Sequence, residues 1–140
     1  EMKGVPLRLE IGPRDIENNC CVIARRDNGE KVTVSLDALE TEIPALLQKV
    51  HDNMYAKALA NLENRTYACT SLDEIKKTLA DKGDSFIKAM WCGDEACEDA
   101  IKAETGVGSR CIPFAQEHLA DTCVCCGKPA KHMVLWAKAY

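Results

Sequence analysis

Nine of the 140 residues are cysteine, and five of them, Cys92, Cys97, Cys123, Cys125 and Cys126, crowd into "MWCGDEACEDAIKAETG" and "DTCVCCGKPAK". Thiols so arranged can cross-link, cycle between thiol and disulfide, or deprotonate and grip a metal ion. An odd count, two adjacent pairs and the lack of a secretion signal argue against a disulfide framework. A redox pair at Cys123 and Cys126 needs a C-x2-C at a helix N-terminus with a lowered thiol pKa. Here Pro129 follows closely, and the segment reads as a turn before a strand.

Metal chemistry suits the spacing better. Cys92 and Cys97 form a C-x4-C pair where a strand ends and a helix begins, so backbone N–H groups and the helix dipole favour thiolates there. Cys123 and Cys126 form a C-x2-C pair, and the following Gly127 lets the backbone turn its amides toward a sulfur. Four such sulfurs suit tetrahedral Zn²⁺ at about 2.3 Å per bond. With every position filled by cysteine no place remains for a substrate, so the expected site is structural. Cys125 stands as an alternative to Cys123, because C-x-C is also a workable spacing. Cys20, Cys21, Cys69 and Cys111 read as small core residues. His51, His118 and His132 suggest no site, since a His118–Cys111 pair lacks an orienting third group.

The elements that must position these residues follow from periodicity. Val5, Leu7, Leu9 and Ile11 alternate, which predicts a strand with Arg8 and Glu10 on its other face. "GPRD" ends it. Two β-rich runs joined across "DNGE" predict a hairpin from about Cys20 to Ser35, Asn28 and Gly29 taking the positive φ of a tight turn. Ile43, Leu46, Leu47, Val50, Met54, Ala58 and Leu62 mark one stripe of a long helix with Pro44 in its first turn. Ser71 and Glu74 predict a capping box opening a second helix that closes at Gly83. "SFIKAMW" reads as a strand, Asp94 and Glu95 open a short helix ending near Gly106, and "HMVLWAKAY" is β-like again. The fold class is therefore α/β, a mixed α+β chain with two lobes joined around residues 60 to 70.

Composition narrows the function. The apolar fraction of 46% is ordinary, but aromatics at 5% leave thin cores. No run approaches the ~20 apolar residues of a membrane helix, and the N-terminus lacks signal-peptide order. The expectation is a cytoplasmic chain, and its abrupt start at Glu1 suggests a segment of a longer one. A formal charge of −4 argues against a general nucleic-acid binder. The stretch from Glu1 to Ser35 nevertheless holds six basic and six acidic residues, so a targeted RNA contact is compatible with it.

Taken together, "KGVPLRLEIGPRD", "FIKAMWCGDEACEDAIKAETGVGSRCIPF" and "CVCCGKPAKHMVLWAKAY" resemble the C-terminal region of prolyl-tRNA synthetases of the archaeal and eukaryotic-like type. The resemblance spans nearly the whole chain. It implies that residues 1–65 are the later part of a class II anticodon-binding domain, a partial sheet with its linking helix, and that 66–140 form a small α+β zinc-binding lobe. It also implies Cys92, Cys97, Cys123 and Cys126 as zinc ligands. ATP and Mg²⁺ would belong to a catalytic domain outside this stretch, which alone should not activate proline. Implied partners are the proline tRNA, the catalytic domain of the same chain and a second copy in a homodimer. The family commonly ends on Tyr near the active-site entrance, which implies a contact of that kind for Tyr140.

If this stretch selects the RNA, Glu10 is well suited to it. Proline anticodons carry two guanines, whose N1–H and N2–H donors a carboxylate can accept together. The expected base reader is Glu10, with Arg8, Arg14, Arg25 and Arg26 contacting phosphates or stacking on bases. The competing reading is a free-standing zinc-stabilised module for protein interaction, which has no reason to carry "RLEIGPRD".

Overall fold

A computed structural model describes residues 2–139, which divide into two compact units, split between Ala60 and Asn61. In the first, β1 (Leu7–Glu10), β2 (Cys20–Arg25) and β3 (Lys31–Ser35) form an antiparallel sheet in that order. A short helix α1 (Pro13–Glu17) joins β1 to β2 where the sequence predicts only a turn. Asp15 starts it by accepting a hydrogen bond from the Gly12 amide at 2.8 Å. The hairpin is where alternation places it, with Ile23 opposite Val32 and Gly29 at φ +76° in the turn, but Asn28, expected to share that conformation, does not take a positive φ.

After a 3-10 turn at Leu36–Ala38 comes the long helix α2 (Leu39–Asn64), whose last residues fall in the second unit. Its Leu46 and Val50 pack on Leu7, Cys21, Ile23 and Val34, with Leu36, Leu39 and Ile43 at the margin. Two expectations need correction. Pro44 lies inside the helix rather than in its first turn, because α2 begins at Leu39, ahead of the apolar stripe. The stripe is also only partly used, for Leu47, Met54 and Leu62 are exposed. The same holds for the alternating run around β1, which forms strand only over Leu7–Glu10: Leu7 is buried but Val5, Leu9 and Ile11 are exposed. Alternation shows which face a side chain takes, and whether anything covers it depends on distant segments.

The second unit holds β4 (Thr66–Ala68), α3 (Leu72–Lys82), β5 (Phe86–Trp91), α4 (Glu95–Thr105), β6 (Gly108–Cys111) and β7 (His132–Ala137). Its sheet runs β4-β5-β7-β6. β4 and β5 are parallel, with α3 as the crossover such a pair requires, and the other neighbours are antiparallel. Ser71 caps α3 by accepting from the Glu74 amide at 3.2 Å, and the Glu74 carboxylate accepts from the Thr70 amide at 2.7 Å. Asp94 caps α4 by accepting from the Ala96 amide at 3.1 Å, and Gly106 ends it at φ +74°, the left-handed cap that glycine adopts without strain. Between these helices and one sheet face lies the core of Ile75, Ile87, Ile101, Val107, Val134 and Trp136. Among the described residues no helix is long and apolar enough to cross a membrane.

Candidate metal centre and charged sheet face

Cys92 ends the run of β5, Cys97 sits in the first turn of α4, and Cys123 and Cys126 flank a tight turn before β7. Their four sulfurs lie within 4.8 Å of one another. Thiolates around one tetrahedral ion at about 2.3 Å would stand roughly 3.8 Å apart, whereas a square plane would bring neighbours to roughly 3.3 Å. The Cys92–Cys97 and Cys92–Cys126 separations are 3.6 and 3.8 Å. These residues therefore form a group that could hold a metal, and the Cys92–Cys126 separation matches the tetrahedral value.

Local sequence builds the cradle twice. Cys92-Gly93-Asp94 and Cys126-Gly127-Lys128 each place a glycine at positive φ, +88° and +69°, directly after a ligand. That conformation turns the next amide back onto the sulfur, the Asp94 N–H toward Cys92 and the Lys128 N–H toward Cys126. The Lys128 amide holds the exposed Cys126 thiol down at about 7. Burial pushes the Cys97 and Cys92 thiols up. Four thiolates in so buried a place need a cation to compensate them.

Cys125 lies outside the four-sulfur group, half-buried against its edge. Cys123 is buried, its amide donating to the Lys128 carbonyl at 2.8 Å. Of the cysteines read as core residues, Cys21 and Cys69 are buried, but Cys20 is half-buried and Cys111 is exposed at the end of the edge strand β6. His118 pairs with Asp121 at 3.0 Å.

On the first unit, Arg8 and Glu10 project from the sheet face opposite α2. The Glu10 carboxylate accepts from Arg8 at 2.6 Å and from Lys31 at 3.0 Å, and its side chain keeps 39% of its exposure. Hydrogen bonds from Lys31 and then Arg8 hold its pKa below the usual carboxylate range, so it is ionised at neutral pH. Arg8, Arg26 and Lys31 rim a shallow depression of about 400 Å³ floored by Ala24. Sequence reading missed Lys31, although the hairpin register that sets it opposite Ala24, itself opposite Arg8, was there to find it.

Arg25 also lines this depression, but its guanidinium is engaged elsewhere. It points to the α2 side, is buried, and pairs with Asp27 at 2.7 Å and Glu30 at 3.0 Å while donating to the Lys49 carbonyl at 3.3 Å. Alternation along β2 dictates this, since Arg25 shares a face with Cys21 and Ile23. It ties the hairpin to α2 and has no free guanidinium to offer RNA. Arg14 is exposed on α1, and Arg26 is exposed just past β2. Tyr140 lies outside the described residues.

Comparison with known proteins agrees with the geometry. The family described as "Prolyl-tRNA synthetase, C-terminal" matches residues 72–140, and the one described as "Anticodon binding domain" matches residues 1–46. The chain belongs to the prolyl-tRNA synthetase family, over its C-terminal region. It is 58% identical over its whole length to proline–tRNA ligase 2 of Bacillus thuringiensis subsp. konkukian and 57% identical to proline–tRNA ligase of Clostridium novyi. In each case it spans 29% of the relative's length. Among solved structures, prolyl-tRNA synthetase from Cryptosporidium parvum, complexed with L-proline and AMP, superposes with a TM-score of 0.88 at 36% identity. That match covers 99% of this chain and 29% of the other.

Proposed function

We propose that this region recognises the anticodon of the proline tRNA through its first unit and carries a structural zinc ion in its second. The enzyme it serves would join proline to ATP as prolyl-adenylate and then transfer it to the 3′ end of that tRNA. The observation that carries the reading is the ionised, half-exposed Glu10 carboxylate on an open sheet face, within a chain whose own whole length matches the C-terminal part of proline–tRNA ligases. A carboxylate so placed can accept the N1–H and N2–H of a guanine as a pair, once the Arg8 and Lys31 contacts shift toward the RNA backbone. Arg8, Arg26 and Lys31 around the Ala24 depression suit phosphates beside such a base, and Arg14 suits a further one.

Zinc is the ion best matched to four closely placed cysteines, having no redox chemistry and no geometric preference of its own to resist the cradle. Its work would be to fasten the Cys123–Gly127 turn to the end of β5 and the start of α4. The partners in this reading are the proline tRNA, the catalytic domain of the same chain and a second copy in a cytoplasmic homodimer. Aminoacylation of proline tRNA transcripts whose anticodon guanines are replaced by adenine tests the recognition role. KM should rise ten- to a hundredfold with proline activation unaltered, and an unchanged KM would remove the assignment.

A further inference from the structure

We propose that Cys125 is a fifth, exchangeable thiol of the metal centre, able to replace Cys126 on the ion. The inference rests on the metal reading above and adds a residue to it. Cys125 packs against the buried group of Cys92, Cys97 and Cys123, although it is not one of the four sulfurs that share mutual 4.8 Å spacing. Its neighbour Cys126 is the one exposed member of the four. A reserve thiol thus lies under the edge of the centre beside the ligand that water and competing groups reach first.

The backbone shows which ligand can be exchanged. Cys123 donates its amide to the Lys128 carbonyl at 2.8 Å, and Val124 donates its amide to the Met90 carbonyl at 2.9 Å. These bonds fix the start of the turn against its own far side and against β5, while Cys125 and Cys126 ride at its tip. Replacing Cys126 by Cys125 leaves a Cys123-x-Cys125 pair, a chelate that closes over one intervening residue. Replacing Cys123 would instead ask the adjacent Cys125 and Cys126 to reach one ion. Both lie in the turn, joined by one planar peptide with no residue between them, so that exchange asks for a tighter chelate than either spaced pair.

The exchange balances without an oxidant. The metal–sulfur bond to Cys126 breaks, the bond to Cys125 forms, and the Cys125 proton passes to the departing Cys126 thiolate. Four thiolates and one proton remain before and after, so the charge of the centre is unchanged. What changes is its tolerance: loss of Cys126 to an alkylating agent or to substitution would not release the ion.

Cobalt substitution tests this in the purified protein, because thiolate-to-cobalt charge-transfer absorption grows with the number of sulfurs bound. Wild-type protein and Cys125→Ser should both show four-thiolate intensity, and failure there would overturn the metal reading itself. Cys126→Ser should keep full intensity and lose less than tenfold in cobalt affinity, whereas the Cys125→Ser/Cys126→Ser double variant should lose about a quarter of the intensity and at least a hundredfold in affinity. Equal spectra and affinities for Cys126→Ser and the double variant overturn the proposal while leaving the metal reading intact. Zinc release to excess chelator gives a second measurement with all four ligands present. Cys125→Ser should release zinc several-fold faster than wild type, and identical rates would count against the reserve role even if Cys126→Ser fails to fold.

Discussion

The sulfur of Cys126 lies 3.8 Å from the sulfur of Cys92, across 34 residues of chain. An ion shared by the two would close that loop in the folded state and hold the turn before β7 against the strand and helix that precede it. Apparent zinc-binding free energies of small structural sites reach about 10–16 kcal/mol, as large as the whole stability of a typical domain at about 5–15 kcal/mol. Chelating the metal should therefore remove the cooperative unfolding of the second unit. Both tryptophans, Trp91 and Trp136, belong to this unit and meet edge to face at 6.5 Å, so tryptophan fluorescence, excited apart from Tyr55 of the first unit, follows it alone. Metal-free, reduced protein with an unaltered melting curve would contradict a structural ion.

Glu10 should act on tRNA binding and on nothing earlier in the reaction. In the enzyme that carries this region, Glu10→Ala should raise KM for the proline tRNA ten- to a hundredfold, taking a bidentate base contact as about 1–3 kcal/mol. Adenylate formation without tRNA should be unaffected. Lys31→Ala should raise KM less, since Arg8 still holds the carboxylate. Steady-state aminoacylation and proline-dependent pyrophosphate exchange separate the two steps.

The four-cysteine group was legible because each half of it is local: C-x4-C at a strand-to-helix junction and C-x2-C-G at a turn are both written in a few consecutive residues. The hairpin and the capped helices were legible for the same reason. The anchoring of Arg25 was not, because its bond to the Lys49 carbonyl, and the Asn53 bond to its partner Asp27, arise only when α2 lies across the hairpin. β4 and β6 escaped notice too. Each is short, three and four residues, and owes its strand form to a neighbour in the sheet, β4 to β5 and β6 to β7.

The Arg25–Asp27 pair gives the first unit a defined acid limit. Asp27 has its side chain buried, and hydrogen bonds from Arg25 and then Asn53 place its pKa below the ordinary 3.8. A carboxyl whose native pKa is depressed stabilises the fold fully above its unfolded pKa and loses that contribution as pH falls through the native one. Asp27→Asn should therefore be less stable than wild type at pH 7 and at pH 5, and the difference should shrink below about pH 4. Urea unfolding followed by far-ultraviolet circular dichroism across this range measures it. A gap that stays constant down to pH 2 would assign the loss to packing rather than charge.

Packing in the second unit can be tested away from the metal. Ile101 on α4 is fully buried in the core with Ile75, Ile87 and Trp136. Ile101→Ala removes methyl groups from a place that cannot collapse freely between two helices and a sheet, and should cost about 2–5 kcal/mol. Ile16 on α1 retains 64% of its exposure, and Ile16→Ala should stay within about 0.5 kcal/mol. Urea midpoints at constant slope report both, by tryptophan fluorescence for Ile101 and circular dichroism for Ile16. A small loss at Ile101 with metal bound would mean that the ion, rather than the apolar core, sets the unfolding threshold, and the same substitution in metal-free protein would then show its full effect.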